Sequence, residues 1–206
     1  MSWPAGPRLL VAPLLLVLLG VVGCGGGQPT AAPPPETARA ASVRCPDPVM
    51  NGIFDWTRQY RTIGELTASS AAVVRVRATD RAQVVEVGGL PFTITDVDVT
   101  ETIRGDAPKT IRIRQLGASA AHAGKISGGN SALRGGIDLL RPDSSYFLFI
   151  SAVEIPGEDT TNQYGIVRTL TGLYVEESGQ ACHLDPESPG LPKALPIDDL
   201  RDQVTG

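Results

Sequence analysis

Cysteine, histidine, lysine and aromatic residues are all scarce in this chain, and each scarcity narrows what it can do. Among 206 residues there are three Cys and two His, and Phe, Trp and Tyr together make up 5%. The two histidines, His122 and His183, lie far apart, and no HExxH, GxSxG, SxxK or Walker-type run occurs. Metal-hydrolase, nucleophile-elbow and phosphate-cradle chemistries each need one of those spacings. No catalytic, metal-ligating or cofactor-binding residue is therefore expected. Each His reads as a solvated surface residue. The carboxylates Glu101, Glu154, Glu158 and Asp159 are spread through strands and loops, and glycosidase chemistry would need two of them facing across a cleft. Lysine occurs only at Lys109, Lys125 and Lys193, and the formal net charge is −4. With no long basic run, a nucleic-acid partner is excluded, since phosphate backbones are held by clustered Lys and Arg. What the chain has in quantity is glycine (23) and proline (17), which with few aromatics suits a β-rich fold with many turns.

The most telling stretch is the first 24 residues. Arg8 is the only charge before an apolar run from Leu9 to Val22. As a helix that run would span roughly 20 Å, short of the ~30 Å hydrocarbon layer of a bilayer. A charged start, a short apolar core and a small-residue end describe an export signal, removed after translocation. The run closes on Val21-Val22-Gly23-Cys24. These four residues resemble the bacterial lipobox, whose cysteine thiol takes a diacylglycerol and whose signal is cut just before it. The resemblance implies a signal peptide at 1–23 and lipidation at Cys24. It also implies a protein held at the outer, extracytoplasmic face of the cell membrane. A plain cleaved signal and an uncleaved span are the alternatives. Residues 24–44, with Gly25-Gly26-Gly27 and Pro33-Pro34-Pro35, carry too little apolar surface to offset ordering entropy and read as a flexible tether. Its mean reach is roughly 25 Å. Residues 45–206 read as one β-rich domain, large enough to bury a real core.

With Cys24 assigned to lipid, Cys45 and Cys182 are left as an even pair in an oxidising compartment, and a disulfide is expected between them. It would close a loop of about 138 residues. A reactive thiol and a metal pair are the alternatives, and neither Cys has a CxxC partner.

Along the domain, Thr62 to Ser70 reads as a short helix. Ile63 and Leu66 lie three apart, and Thr62 with Glu65 forms a capping box. Val74, Val76 and Ala78 alternate with Val73, Arg75 and Arg77 as a strand with one wet face. Pro91 to Ile103 reads as a longer strand. Its apolar residues sit at even positions (Phe92, Ile94) and then at odd ones (Val97, Val99, Ile103), so a bulge or bend is expected near Thr95-Asp96. Arg104-Gly105-Asp106 makes a turn, and Thr110 to Leu116 alternates with Ile111 and Ile113 inward. Residues 117–136 are rich in Gly, Ala and Ser and read as a long loop, either functional or disordered. Tyr146 to Val153 is the most apolar strand, suited to a sheet centre. Tyr164–Thr169 and Leu173–Glu176 follow as strands, and Ile197 to Val204 as a final short helix.

The fold class expected is mainly β, a small five- to six-stranded OB-like barrel with one or two short helices. Four stretches carry a family resemblance over roughly residues 60–176. They are Ala72-Val73-Val74-Arg75-Val76, Ile103-Arg104-Gly105, Leu140-Arg141-Pro142 and Tyr146-Phe147-Leu148-Phe149-Ile150. Their order resembles netrin-like domains, a group that includes the tissue inhibitors of metalloproteinases, and many small bacterial surface lipoproteins. The inhibitors approach a protease zinc with a free N-terminal Cys. Here Cys45 lies behind a tether, so the resemblance implies the fold and not the inhibition.

Outward arginines at 75, 77, 112 and 114 are expected to pair across strands with Asp96 and Asp98, at about 0.2–1 kcal/mol per pair. A basic stripe for an anionic polymer or lipid head groups is the competing reading. For function, the leading reading is a non-enzymatic, surface-tethered binding or adaptor module for an envelope protein or glycan. A structural envelope lipoprotein, or a hydrolase with a site not visible in sequence, are the alternatives.

Overall fold

The computed structural model describes residues 44–47, 59–118, 139–185 and 187–206. The expected signal, nearly all of the expected tether with Cys24, His122 and most of the 117–136 loop lie outside the described residues.

The first described element is helix α1 (Ile63–Ala68). Thr62 is its N-cap, with extended backbone and a side-chain oxygen that accepts from the Glu65 N–H at 3.1 Å. The return half of the capping box is displaced by one residue, because the Glu65 carboxylate accepts from the Arg61 N–H at 2.8 Å. Six residues are too few to hold a helix by propensity. Ile63 and Leu66, both fully buried, hold it instead.

Eight strands follow: β1 (Ala72–Val87), β2 (Leu90–Arg104), β3 (Thr110–Leu116), β4 (Ser145–Ala152), β5 (Gln163–Ile166), β6 (Leu173–Glu177), β7 (Gln180–His183) and β8 (Ala194–Pro196). A terminal helix, α2 (Ile197–Thr205), ends the chain. The protein is mainly β, and five strands close on themselves. β1 pairs β2, β2 pairs β3, β3 pairs β5 in parallel, β5 pairs β4, and β4 returns to β1. That ring is the closure expected of an OB-like domain. From β4 the sheet runs on through β6, β7 and β8, so eight strands replace the five or six expected. The short β7 and β8 have no sequence periodicity to announce them.

β4 explains why the sheet has two cores. Tyr146, Leu148 and Ile150 point into the ring, where they meet Val74, Val76, Val97, Ile111 and Ile113. Phe147 and Phe149 point the other way, against Tyr60, Ile63, Leu66, Tyr174, Leu200 and Val204. A strand buried on both faces must be apolar at every position, hence the unbroken run. The second core is the layer under α1 and α2. Two arginines tie it down. Arg104 donates to the Thr67 carbonyl at 2.8 Å, and Arg201 grips both Glu101 oxygens at 3.0 and 2.8 Å.

No change of phase occurs in β2 near Thr95-Asp96. It comes later, where Arg75↔Glu101 follows Val76↔Val99, so that Val99 packs into the ring and Ile103 against the layer under the helices. The register of β2 with β3 is unbroken from Phe92↔Leu116 to Asp98↔Thr110. Thr93, Thr95 and Val97 are all buried, in step with Gln115, Ile113 and Ile111. Ile94 and Phe92 belong to the opposite face, where Arg114 lies over the Phe92 ring at 4.8 Å. Threonines occupy inward positions, and the apolar residues beside them are covered by an arginine. Reading polarity alone inverted the faces. The irregularity near Thr95-Asp96 is real but sits on β1, where Ala78↔Val97 is followed by Ala82↔Thr95. Thr79, Asp80 and Arg81 bulge there against Asp96 alone.

Candidate functional site

The structure joins Cys45 to Cys182, with Cα atoms 5.5 Å apart and a sequence separation of 137. Cys182 is fully buried on β7, between Val175 of β6 and Ala194 of β8. The bond fixes Arg44–Asp47 beside the start of β4 and the β6–β7 turn. Between these parts lies a cleft of about 600 Å³, lined by Arg44, Asp47, Arg141, Asp143, Glu176 and Glu177 among others. Glu176 receives both arms of Arg75 at 2.8 Å, and Asp143 receives Arg77 at 2.9 Å. Asp47 and Glu177 have no ion-pair partner among the described residues. A rim of mixed sign with serines, beside Pro46, Tyr146 and Val175, suits a polar, near-neutral ligand such as a peptide backbone or a sugar. It does not suit a polyanion.

The four outward arginines all find oxygen partners, but not Asp96 or Asp98 through a side-chain bond. Arg75 and Arg77 take Glu176 and Asp143. Arg114, its side chain 4% exposed, bonds Glu158 at 2.8 Å, and Arg112 donates to the Thr161 carbonyl. Asp96 is bonded instead by Arg81 at 2.9 Å. Cross-strand neighbours in register lost to partners arriving from other segments: the turn before β4 supplies Asp143, β6 supplies Glu176, and the loop before β5 supplies Glu158 and Thr161. The expected Arg–Asp pairing is corrected accordingly.

His183 is not the solvated residue expected. It is 7% exposed, stacked on Tyr174 with ring centroids 4.5 Å apart. Its Nε2 lies 2.9 Å from the Thr171 carbonyl, an acceptor only, so Nε2 carries the proton. Nδ1 then has a buried lone pair with no partner among the described residues. Asp185 next to it accepts from Thr171 Oγ1 at 2.5 Å, Ser188 Oγ at 2.6 Å and the Glu187 N–H at 2.9 Å. Ser, His and Asp are thus neighbours without forming a nucleophile–base pair. The serine hydroxyl donates to the carboxylate, and the imidazole is held by a carbonyl. Among the described residues no group of His, Cys, Asp and Glu has the geometry of a metal site.

Burial holds the His183 pKa below its ordinary value, against the opposing pull of the Thr171 carbonyl and Asp185. The folded value being the lower, this contribution to stability is complete above about pH 6.5. It is lost as pH falls through the folded pKa. The urea midpoint should fall between pH 7 and 5, and His183→Phe, which keeps a ring on Tyr174, should flatten that slope. An unchanged slope in the variant would assign the effect elsewhere.

Among the described residues no helix is long and apolar enough to cross a membrane. Comparison with protein-family models, with curated proteins and with solved structures finds no match. The site is therefore read from its own chemistry. The cleft is not legible in the sequence because its lining comes from three separated segments, 44–47, 141–146 and 175–178. One local signal was present: Ser178-Gly179, with φ of 48° and 79°, makes the tight turn that sets Glu177 on the rim.

Proposed function

We propose that this protein is a non-enzymatic binding or adaptor module, lipid-anchored through Cys24 at the extracytoplasmic face of the cell membrane. Its partner is an envelope protein or glycan. The observation that carries the reading is the polar cleft built around Cys45–Cys182. A disulfide fits an oxidising compartment, and it sets the cleft at the point where the chain emerges from residues 24–44. A ligand held there sits within tether reach of the anchor, roughly 25 Å. The resemblance to netrin-like surface lipoproteins adds the same localisation.

Cells fed labelled palmitate should incorporate it into the wild type and not into Cys24→Ala. Cross-linking of intact cells should then capture an envelope component whose yield drops in Cys24→Ala and in the cleft variant Glu177→Lys. Equal palmitate labelling of both proteins would remove the anchor from the proposal. Capture indifferent to Glu177→Lys would remove the cleft.

A further inference from the structure

β1 is a long strand that pairs with β2 along one side over its whole length and with β4 along the other side over its first part only. Its pairing with β4 stops at Arg77↔Ser145, and the last bonds beyond are Ala78 N–H to the Ser144 carbonyl and Asp143 N–H to the Ala78 carbonyl. Its pairing with β2 continues to Val87↔Leu90. Past the bulge, the side of β1 away from β2 therefore has no strand partner among the described residues.

Which residues face that side follows from the bonds of β2. Gly117 N–H donates to the Pro91 carbonyl and Val99 N–H to the Lys109 carbonyl, each at 2.8 Å. Odd-numbered residues of β2 thus direct their main-chain groups to β3, and even-numbered ones to β1. In an antiparallel pair, opposite residues either exchange both bonds or neither. Gln83↔Ile94, Val85↔Phe92 and Val87↔Leu90 are then the bonded pairs. Ala82, Val84 and Glu86 present their N–H and C=O groups outward.

We infer that this edge, Ala82–Glu86 of β1, is a docking site for an extended polypeptide segment of a partner, basic at its flanks and apolar between, added as a further strand. Strand addition draws affinity from main-chain bonds and selectivity from alternate side chains. The chemistry of the occupant comes from the flanks. Glu86 is exposed and has no side-chain partner among the described residues, and at the other end Arg81 is already bonded to Asp96 with Asp80 and Asp98 close by. Ala82 and Val84 lie between these acids. A strand carrying Lys or Arg opposite both ends, with β-branched residues between, meets charge with charge and leaves no buried cation unpaired.

This inference rests on the binding-module reading but uses a surface apart from the cleft. The probe is the capped peptide Lys-Thr-Val-Thr-Val-Thr-Lys, titrated into the full-length chain. Two companion peptides carry either Glu for both Lys or N-methyl groups on alternate amides. The plain peptide should bind, and the N-methylated one about tenfold more weakly or worse. Binding should slow amide exchange at Ala82, Val84 and Glu86. Val84→Pro removes an outward N–H that the β1–β2 ladder does not use, so the hairpin should persist while peptide binding is lost. Val84→Thr should bind like the wild type. Absence of binding, equal binding of the Glu or N-methylated peptide, or full binding by Val84→Pro would overturn the assignment. So would slow exchange at those three amides before peptide is added, which would mean another part of this chain or a second copy already occupies the edge. None of these outcomes touches the cleft, since Val84 is not among its lining residues.

Discussion

Gly105→Ala should cost about 4 kcal/mol of unfolding free energy, from left-handed backbone strain and overpacking of ~1–3 kcal/mol each. Gly105 has φ of +78°, and a Cβ built on it would lie 2.3 Å from the Ala71 carbonyl oxygen and 2.9 Å from the Ala72 Cα. Both obstacles are backbone, at the point where β1 enters the ring, so no rotamer change relieves them. The contrast is Gly88, with φ of +59° but nothing within 4 Å of its Cβ position. Gly88→Ala should therefore cost only the strain, about 1–2 kcal/mol. Chemical denaturation of the two variants side by side separates the terms. Equal losses would mean that the close approach at Gly105 relaxes freely.

Removal of the disulfide is the second large effect. A closed loop of this length contributes about 4–5 kcal/mol through the unfolded chain, an upper figure when that chain keeps residual structure. Cys45→Ser should lose that amount, and reducing agent should lower the melting temperature of the wild type but not of the variant. Cys182→Ser should lose more, because it leaves a hydroxyl at a fully buried position between β6 and β8. If Cys45→Ser matched the wild type in stability, the entropic account would fail. Both variants release Arg44–Asp47, so the cleft should lose one wall, even at temperatures where the ring stays folded.

The parts of this fold legible in sequence are those where burial follows strand periodicity. The run Tyr146-Phe147-Leu148-Phe149-Ile150 marks a strand covered on both faces, and Ile111 and Ile113 mark one covered on one. β2 was misread because polarity and burial part company there: Thr93 and Thr95 face into the ring, while Phe92 and the buried Ile94 lie on the opposite face, with Arg114 over the Phe92 ring. A threonine whose hydroxyl finds a carbonyl, as Thr93 finds Gly117 at 2.7 Å, can occupy an interior position. The hairpin turn Gly88-Gly89 carried a signal for the far half of β1, since paired glycines supply the positive φ of a two-residue turn. His183 was illegible because nothing local says that Tyr174, nine residues earlier, will stack on it. The cleft assembles where the β4–β6 pairing meets the segment Arg44–Asp47 brought in by the Cys45–Cys182 bond, so its existence depends on tertiary contacts and not on any motif.

The same bond decides how the molecule bears mechanical load. Tension applied between the two ends of the chain passes from Cys45 directly into Cys182 and bypasses everything in between. β1 to β6, and with them the entire five-strand ring, lie inside the covalent loop and carry no tension. Only the segment after Cys182, with β8 and α2, can be peeled away. Under such a pull the protein would lose that flap first and keep its ring intact.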